Sequence, residues 1–191
     1  VLFDGSQQQV TIPTVGTHNV YNALAATACA HLCGLSAEDI AQGLHHFYGA
    51  GRRMEYKGKL NGAAVFDDYG HHPTEVAATL QGMAQMGYER IFCVFQPHTY
   101  SRTAQLADQF AGAFADADRV ILVDIYAARE KDSKGISSAK LVSKIGAKAT
   151  YQPDFQKVGE QLCAQVTERD AVVVMGAGDV YRLFEKLPLE K

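Results

Sequence analysis

The chain has 191 residues, 47% of them hydrophobic and 20% charged, which is enough for the core of one domain and part of another. Its 21 acidic and 18 basic residues give a net charge of −3, and no run of Lys or Arg forms a basic stripe. This distribution argues against a nucleic-acid or anionic membrane surface. No apolar run approaches the roughly 18 residues of a membrane span. We therefore expect a cytoplasmic protein whose partners are small molecules.

The first part of the chain predicts one strand and two helices. Alternation over residues 7–12 predicts a strand that ends at Pro13. An Ala-rich helix is predicted to follow Gly16, with Thr and Asn side chains as caps, and to end near Cys33 before Gly34. A second helix follows Ser36, a predicted N-cap, and its apolar face carries Ile40, Leu44 and Phe47.

The stretch Gly49-Ala50-Gly51 interrupts this helical pattern and is followed by Arg52 and Arg53. Two glycines in three residues are typical of a hinge between domains, and two adjacent arginines are suited to an anion. We place a domain boundary here, between 1–48 and 49–191.

Beyond the boundary, apolar strands alternate with amphipathic helices. Near-continuous apolar strands between helices indicate a parallel sheet covered on both faces, as in a doubly wound, Rossmann-like α/β domain. The predicted strands are 63–67, 90–95, 119–124, a weak one near 150–151, and 171–175; the predicted helices are 73–86, 102–115, 137–145, 154–168 and 179–186.

The stretch from Phe66 to Glu75 concentrates side chains that can take part in catalysis or binding. Its sequence, Phe-Asp-Asp-Tyr-Gly-His-His-Pro-Thr-Glu, joins a buried strand to a helix that Pro73 and Glu75 are predicted to open. Such loops lie at the carboxyl ends of parallel strands, where ligands bind. Two alternatives stay open: a turn with a capped helix, and a hydrolase metal site built from Asp67, Asp68, His71 and His72.

Three more polar clusters follow predicted strands, so that a shared crevice is expected at one sheet edge. In 96–102, His98 and Arg102 beside a helix start are suited to a carboxylate or phosphate. Residues 124–130 are predicted to form a solvated loop, with a contact to substrate as the alternative. Gly176 and Gly178 lack the third glycine of a dinucleotide fingerprint, since Tyr181 stands there, and a tight turn explains them equally well.

The four cysteines, Cys29, Cys33, Cys93 and Cys163, lie in apolar or helical surroundings. Only Cys29 and Cys33 are close in sequence, and no second Cys pair or paired His completes a zinc site. We predict reduced, buried thiols.

Three motifs together resemble the Mur ligases: residues 16–26, with Gly-Thr-His-Asn-Val-Tyr-Asn, then Gly51-Arg52-Arg53, and then the cluster at 67–75. The resemblance extends over nearly the whole chain, because residues 95–103 and the Gly176-Ala177-Gly178 turn follow in family order. It implies a C-terminal Mur ligase domain, 49–191, preceded by an α-rich tail of the central ATP-binding domain, 1–48.

The resemblance also implies an activity. It suggests ATP-dependent joining of L-alanine to the lactyl carboxylate of UDP-N-acetylmuramate through an acyl-phosphate, with Mg²⁺ as cofactor, in peptidoglycan synthesis. The family's phosphate loop, G-x-x-x-x-G-K-[ST], is absent from this sequence, so the Mg²⁺ ligands are expected mostly elsewhere and the isolated chain is expected to be inactive.

By the same resemblance, Asn19 and Asn22 fall near adenine, while Arg53 and Asp68 fall on nucleotide-contacting positions. The amino-acid side of the cleft is assigned to Tyr69, His71, His98 and Arg102. Some family members carry a second Arg at the position of Thr99. The resemblance therefore does not say which residue helps Arg102 to bind the carboxylate.

Two further hypotheses about the function remain open. One is a family member that recycles murein tripeptide, which resembles the chain at 67–75 but differs in the segment matching 96–102. The other is a nucleotide-binding module that is inactive by itself.

Overall fold

The computed structural model describes residues 2–3, 6–14, 16–131 and 135–190. Contacts between Cα atoms divide the chain into two units, Val1–Gly51 and Arg52–Lys191. The division falls after residue 51, whereas the sequence placed a boundary after residue 48. The origin of the first unit in a central ATP-binding domain stays a prediction.

The first unit contains a short antiparallel pair, β1 (Leu2–Phe3) and β2 (Ser6–Gln7), and two helices, α1 (Thr17–Leu32) and α2 (Ala37–His45). The predicted strand over 7–12 is wrong beyond Gln7. In the described part of this unit, β2 pairs only with the two residues of β1, and a strand needs a partner for its backbone groups.

The two helices of this unit start differently. Ser36 caps α2 as predicted, because its Oγ accepts a hydrogen bond from the Asp39 N–H at 3.1 Å. At α1 the predicted Thr and Asn caps are wrong: the capping position is Gly16, with φ 95, and no side chain caps the helix.

The second unit is built on a six-stranded sheet of order β3-β4-β8-β5-β6-β7. All neighbouring strands are parallel except β3 and β4, which are antiparallel. The predicted mostly parallel α/β sheet is confirmed. The strands are β3 (Glu55–Leu60), β4 (Ala63–Asp68), β5 (Ile91–Phe95), β6 (Arg119–Leu122), β7 (Ala149–Tyr151) and β8 (Ala171–Met175).

Strand β3 was missed from the sequence for a physical reason. Its residues, Glu-Tyr-Lys-Gly-Lys-Leu, form an edge strand with both exposed and buried positions. An edge strand carries charged residues that a search for apolar runs rejects.

Helices cover both faces of the sheet, which places the core in two layers. Apolar side chains of α3 (Pro73–Ala84), α4 (Tyr100–Ala113) and α5 (Ser138–Ile145) pack on one face. The other face is covered by α6 (Phe155–Gln165) and by a 3-10 helix (Val180–Lys186), where an α-helix over 179–186 was predicted. The doubly wound arrangement therefore matches the alternation in the sequence.

The cysteines are free, but not all are buried. Cys93 is buried in β5 and Cys163 is partly buried, whereas Cys29 on α1 and Cys33 directly after α1 are exposed. The prediction of four buried thiols is wrong for those two, because α1 is Ala-rich and buries few of its residues. Among the described residues, no helix is long and apolar enough to cross a membrane.

Candidate functional site

Four loops meet at the carboxyl edge of the sheet, as the sequence predicted. They follow β4, β5, β6 and β8, which are neighbours in the sheet, so their ends lie side by side. Backbone hydrogen bonds continue past the strand ends: Gly176 N donates to Asp68 O at 3.0 Å, and Gln96 N donates to Met175 O at 2.9 Å. The polar clusters of these loops therefore share one surface.

A row of aromatic rings runs along this edge. The ring centroids of Tyr69 and His71 are 5.8 Å apart, those of His71 and His98 5.7 Å, and those of His98 and Tyr126 5.6 Å. The last pair is stacked, with an interplanar angle of 14°. The row brings together three of the predicted amino-acid side chains, Tyr69, His71 and His98.

Arg52 is held by the protein itself. Its Nε lies 3.1 Å from Asp67 Oδ2, and its Nη2 donates to the Gly176 carbonyl at 2.6 Å. The guanidinium also stacks 5.0 Å from the Tyr69 ring centroid. Arg52 thus joins the ends of β4 and β8, and of the predicted anion-binding pair only Arg53 remains available.

Arg53 is exposed and forms no hydrogen bond or ion pair with any described residue. Its guanidinium carbon lies 5.8 Å from the Tyr69 ring centroid. An unpaired guanidinium at a strand-end loop is suited to a phosphate.

Asp67 and Asp68 are both buried, at 2% and 4% exposure. Asp68 accepts hydrogen bonds from the Gly70 N–H at 2.7 Å and the Met54 N–H at 3.0 Å. Burial raises the pKa of both carboxyls above the usual range, opposed by Arg52 at Asp67 and by the two N–H donors at Asp68. A ribose contact of Asp68 would have to use lone pairs that these donors leave.

The two adjacent histidines have different surroundings. His72 caps α3: its Nδ1 accepts from the Thr74 N–H at 3.3 Å, and Glu75 Oε2 accepts from the His72 N–H at 3.0 Å. Burial would raise the pKa of Glu75, but the N–H groups of His71 and His72 hold it below its usual value. The predicted helix start at Pro73 is confirmed, and of the two imidazoles His71 is the one in the aromatic row.

These contacts leave few free ligand atoms for the metal site that the hydrolase alternative requires. Asp67 pairs with Arg52, Asp68 binds backbone N–H groups and His72 caps a helix. Within the described ranges, no three His, Cys, Asp or Glu side chains group as a metal site.

Packing explains the glycine at 178. A Cβ there would lie 2.5 Å from Tyr126 Cγ, closer than side-chain atoms approach. The buried Gln96 fixes this turn, since its Nε2 donates to Asp179 Oδ1 at 2.8 Å and its Oε1 accepts from the Val180 N–H at 3.0 Å. Gln96 belongs to the polar cluster predicted at 96–102, but its role in this turn was not predictable, because a buried amide and its partner 83 residues later leave no local pattern.

His98 and Arg102 flank the start of α4. Helix α4 begins at Tyr100, so that Arg102 lies in its first turn rather than at its first position. Burial, with the nearby His71 and Arg102, lowers the pKa of His98, which keeps its imidazole neutral at neutral pH. The exposed Arg102 forms no hydrogen bond or ion pair with any described residue.

The N-terminus of α4 is already occupied. Glu130 Oε2 accepts from the Ser101 N–H at 2.8 Å, and Glu130 Oε1 accepts from Thr99 Oγ1 at 2.7 Å. The Ser101 N–H is therefore already paired, and an anion site formed by Arg102 and the rest of this helix start stays a prediction. The loop 124–130 is also more than the solvated loop predicted, because Tyr126 and Glu130 contact the segment after β5.

Asn19 and Asn22 belong to the first unit. They lie one turn apart on α1, with Asn22 Nδ2 3.4 Å from Asn19 Oδ1. Both therefore present their amides on one side of the helix. A role at adenine stays a prediction.

The chain is thus an α/β protein with a doubly wound sheet and a polar site at the carboxyl ends of four parallel strands. Residues 52–178 match the model of the family described as Mur ligase, glutamate ligase domain. The chain belongs to this family, as the sequence motifs indicated.

Named relatives add detail. The chain is 46% identical over 181 residues to a UDP-N-acetylmuramate–L-alanine ligase of Lachnospira eligens, covering 93% of this chain and 39% of that protein. In fold it is similar to the UDP-N-acetylmuramate–alanine ligase of Thermotoga maritima, with TM-score 0.74, 24% identity, and coverage of 94% of this chain and 39% of that one. A murein peptide ligase of Psychrobacter arcticus gives TM-score 0.67 and 26% identity, over 93% of this chain and 38% of that one. The chain therefore spans about two fifths of the length of these relatives.

Proposed function

We propose that this chain is the C-terminal part of an ATP-dependent ligase that joins L-alanine to UDP-N-acetylmuramate in cytoplasmic peptidoglycan synthesis. The sequence identity of 46% to a protein with this name supports the reaction. The geometric observation that carries it is Arg102, whose guanidinium has no partner among the described residues and lies beside His98 at the carboxyl edge.

The proposed reaction has two steps. The lactyl carboxylate of UDP-N-acetylmuramate attacks the γ-phosphorus of ATP, which gives an acyl-phosphate and ADP. The amine of L-alanine then attacks the acyl carbon, the C–O bond to phosphate breaks, and the amine loses a proton. The acyl-phosphate must be protected from water until the amine arrives, so the site has to position alanine closely.

On the amino-acid side, Arg102 binds the alanine carboxylate, and a guanidinium fork matches a carboxylate in shape and charge. His98, His71 and Tyr69 line the space next to it, supported by their contacts in the aromatic row. A neutral His98 adds no second positive charge that would repel the alanine ammonium.

On the nucleotide side, Arg53 contacts phosphate and Asp68 contacts ribose. Asn19 and Asn22 contact adenine, since an amide can both donate to and accept from a purine edge. Mg²⁺ would neutralise phosphate charge in this reaction. We expect its ligands and the phosphate loop mainly in other parts of the ligase, because this sequence lacks the family's G-x-x-x-x-G-K-[ST] motif.

The recycling of a murein tripeptide is the alternative within the same family. It is supported by the murein peptide ligase of similar fold, whereas the curated relatives at 44–46% identity carry the name of the alanine ligase.

Turnover of two amino substrates separates these alternatives. The complete protein that carries this chain should release phosphate from ATP with UDP-N-acetylmuramate and L-alanine, and much more slowly with the tripeptide. A preference for the tripeptide would overturn the proposal. The 191-residue chain alone should show no turnover, and activity of the chain alone would contradict the proposed division of the ligase.

A further inference from the structure

Glu130 lies on the loop after β6. Both of its carboxylate oxygens bind the start of α4: Oε1 accepts from Thr99 Oγ1 at 2.7 Å and from Ser101 Oγ at 2.5 Å, and Oε2 accepts from the Ser101 N–H at 2.8 Å. Two residues of the helix start thus supply three hydrogen bonds to one side chain.

These bonds replace the helix's own cap. Thr99 is the N-cap residue of α4, but its side chain caps no helical N–H. A Thr at this position usually accepts from the second or third helical N–H, whereas here its hydroxyl donates to Glu130. Glu130 itself accepts from the Ser101 N–H, and its negative charge lies at the positive end of the helix dipole.

The same loop also holds the segment before α4. Tyr126 N donates to the Pro97 carbonyl at 2.9 Å, and the Tyr126 ring stacks on His98. The segment 97–101 is therefore fixed on one side by Tyr126 and on the other by Glu130. His98 lies between these two attachments, and Arg102 follows directly after them.

We propose that Glu130 is a positioning residue for the amino-acid side of the site. It fixes the first turn of α4 and so the direction in which Arg102 and His98 face a bound amino acid, without itself touching that amino acid. The inference rests on the proposed function for the identity of the amino acid, L-alanine. The attachment of α4 by Glu130 does not depend on that identity.

The attachment is tested in the complete ligase, without substrates, by hydrogen exchange of the Ser101 amide. Glu130→Ala removes its acceptor, and we expect exchange at Ser101 to become about tenfold faster, as for the loss of one hydrogen bond to a charged group. Asp108→Ala is the matched control, because Asp108 is a carboxylate on the same helix whose partner is Lys144. It should leave Ser101 exchange unchanged.

The effect on the site is tested in the complete ligase. We expect Glu130→Ala to raise the KM for L-alanine about tenfold, with the KM for ATP within about twofold of wild type. Glu130→Gln, which keeps one acceptor oxygen, should recover part of the loss. Since Glu130 acts through Arg102, the double variant Arg102→Ala with Glu130→Ala should be no worse for alanine than Arg102→Ala.

Equal Ser101 exchange in wild type and Glu130→Ala would overturn the inference. So would an unchanged alanine KM, or losses that add in the double variant, in an enzyme whose wild type uses alanine. If the wild type did not use alanine at all, the proposed function would fail, and the Ser101 exchange alone would decide whether Glu130 holds α4.

Discussion

Arg102 and Asp108 lie on the same helix, but of the two only Asp108 has an ion-pair partner among the described residues, with Lys144 Nζ at 2.6 Å from its Oδ1. Because no described residue occupies the Arg102 guanidinium, we expect Arg102→Ala to raise the KM for L-alanine by roughly ten- to a hundredfold. This corresponds to about 1.5–3 kcal/mol for a lost charge-assisted contact. Steady-state kinetics of the complete ligase measure it.

The same experiment separates binding from folding. The KM values for ATP and UDP-N-acetylmuramate and the melting temperature should hardly change, because Arg102 supports no described part of the fold. An alanine KM within about twofold of wild type would remove Arg102 from the carboxylate site.

Glu130 also gives a prediction on acid stability. The bonds from Ser101 and then Thr99 lower the pKa of Glu130 to about 2, from 4.5. A depressed carboxyl pKa contributes stability that is fully present above about pH 5 and is lost as the pH falls towards 2. The difference in melting temperature between wild type and Glu130→Gln should therefore be present at pH 6 and shrink between pH 5 and pH 2. A melting-temperature difference that stays constant between pH 5 and pH 2 would contradict the lowered pKa of Glu130.

At the scale of elements, the sequence predicted the buried strands and most helices well. Strands such as β5 and β8 are continuous apolar runs, buried at every position, and such runs are what a doubly covered parallel sheet requires. The edge strand β3 was not predictable in this way, since its charged residues depend on the neighbouring strand β4 for their conformation.

The site was predictable only where its residues are close in sequence. Clusters such as His71 and His72 can be recognised in the sequence, because the loops at strand ends concentrate polar residues over a few positions. The roles of Arg52, Gln96 and Glu130 depend on partners 15 to 124 residues away, so that no local pattern reveals them. The carboxyl edge of the sheet could thus be predicted from the sequence as the location of the site. Only the packing between the loops shows which of its side chains hold the fold together and which can bind a ligand.

Lys148 contacts the chain at the C-terminal end of α4. Lys148 Nζ donates to the carbonyls of Phe114, Ala115 and Ala117 at 2.7, 3.1 and 3.0 Å, just after α4 ends. We expect Lys148→Met to lower the free energy of unfolding by about 1.5–3 kcal/mol, because three carbonyls lose a charged donor. Urea denaturation measures this loss.

Lys144→Met is the control for that experiment. Lys144 forms an ion pair with Asp108, whose side chain is 92% exposed, and such surface pairs contribute about 0–1 kcal/mol. Equal effects of the two substitutions would show that Lys148 does not stabilise the end of α4.

For the whole molecule, the two units join after Gly51, next to Gly49 with φ 100. We predict that this linker is a hinge that absorbs the rotation of a closing domain. Replacing Gly49 and Gly51 by Ala in the complete ligase should lower kcat and leave nucleotide affinity near normal, because Ala disfavours the positive φ of Gly49 and restricts the backbone at residue 51. Gly43→Ala within α2, where an added Cβ meets no atom within 4 Å, is the control. Unchanged turnover in the linker variant would count against a hinge.

The central claim is that the carboxyl edge of this sheet binds the amino acid of an alanine ligase. A crystal structure of the complete protein with a non-hydrolysable ATP analogue, UDP-N-acetylmuramate and L-alanine tests it most directly. We predict the alanine carboxylate within hydrogen-bonding distance of the Arg102 guanidinium, with His98 and Tyr69 beside it and Glu130 still bound to Ser101. Alanine bound away from this edge, or Arg102 paired with an acidic side chain of the protein in that complex, would contradict the claim.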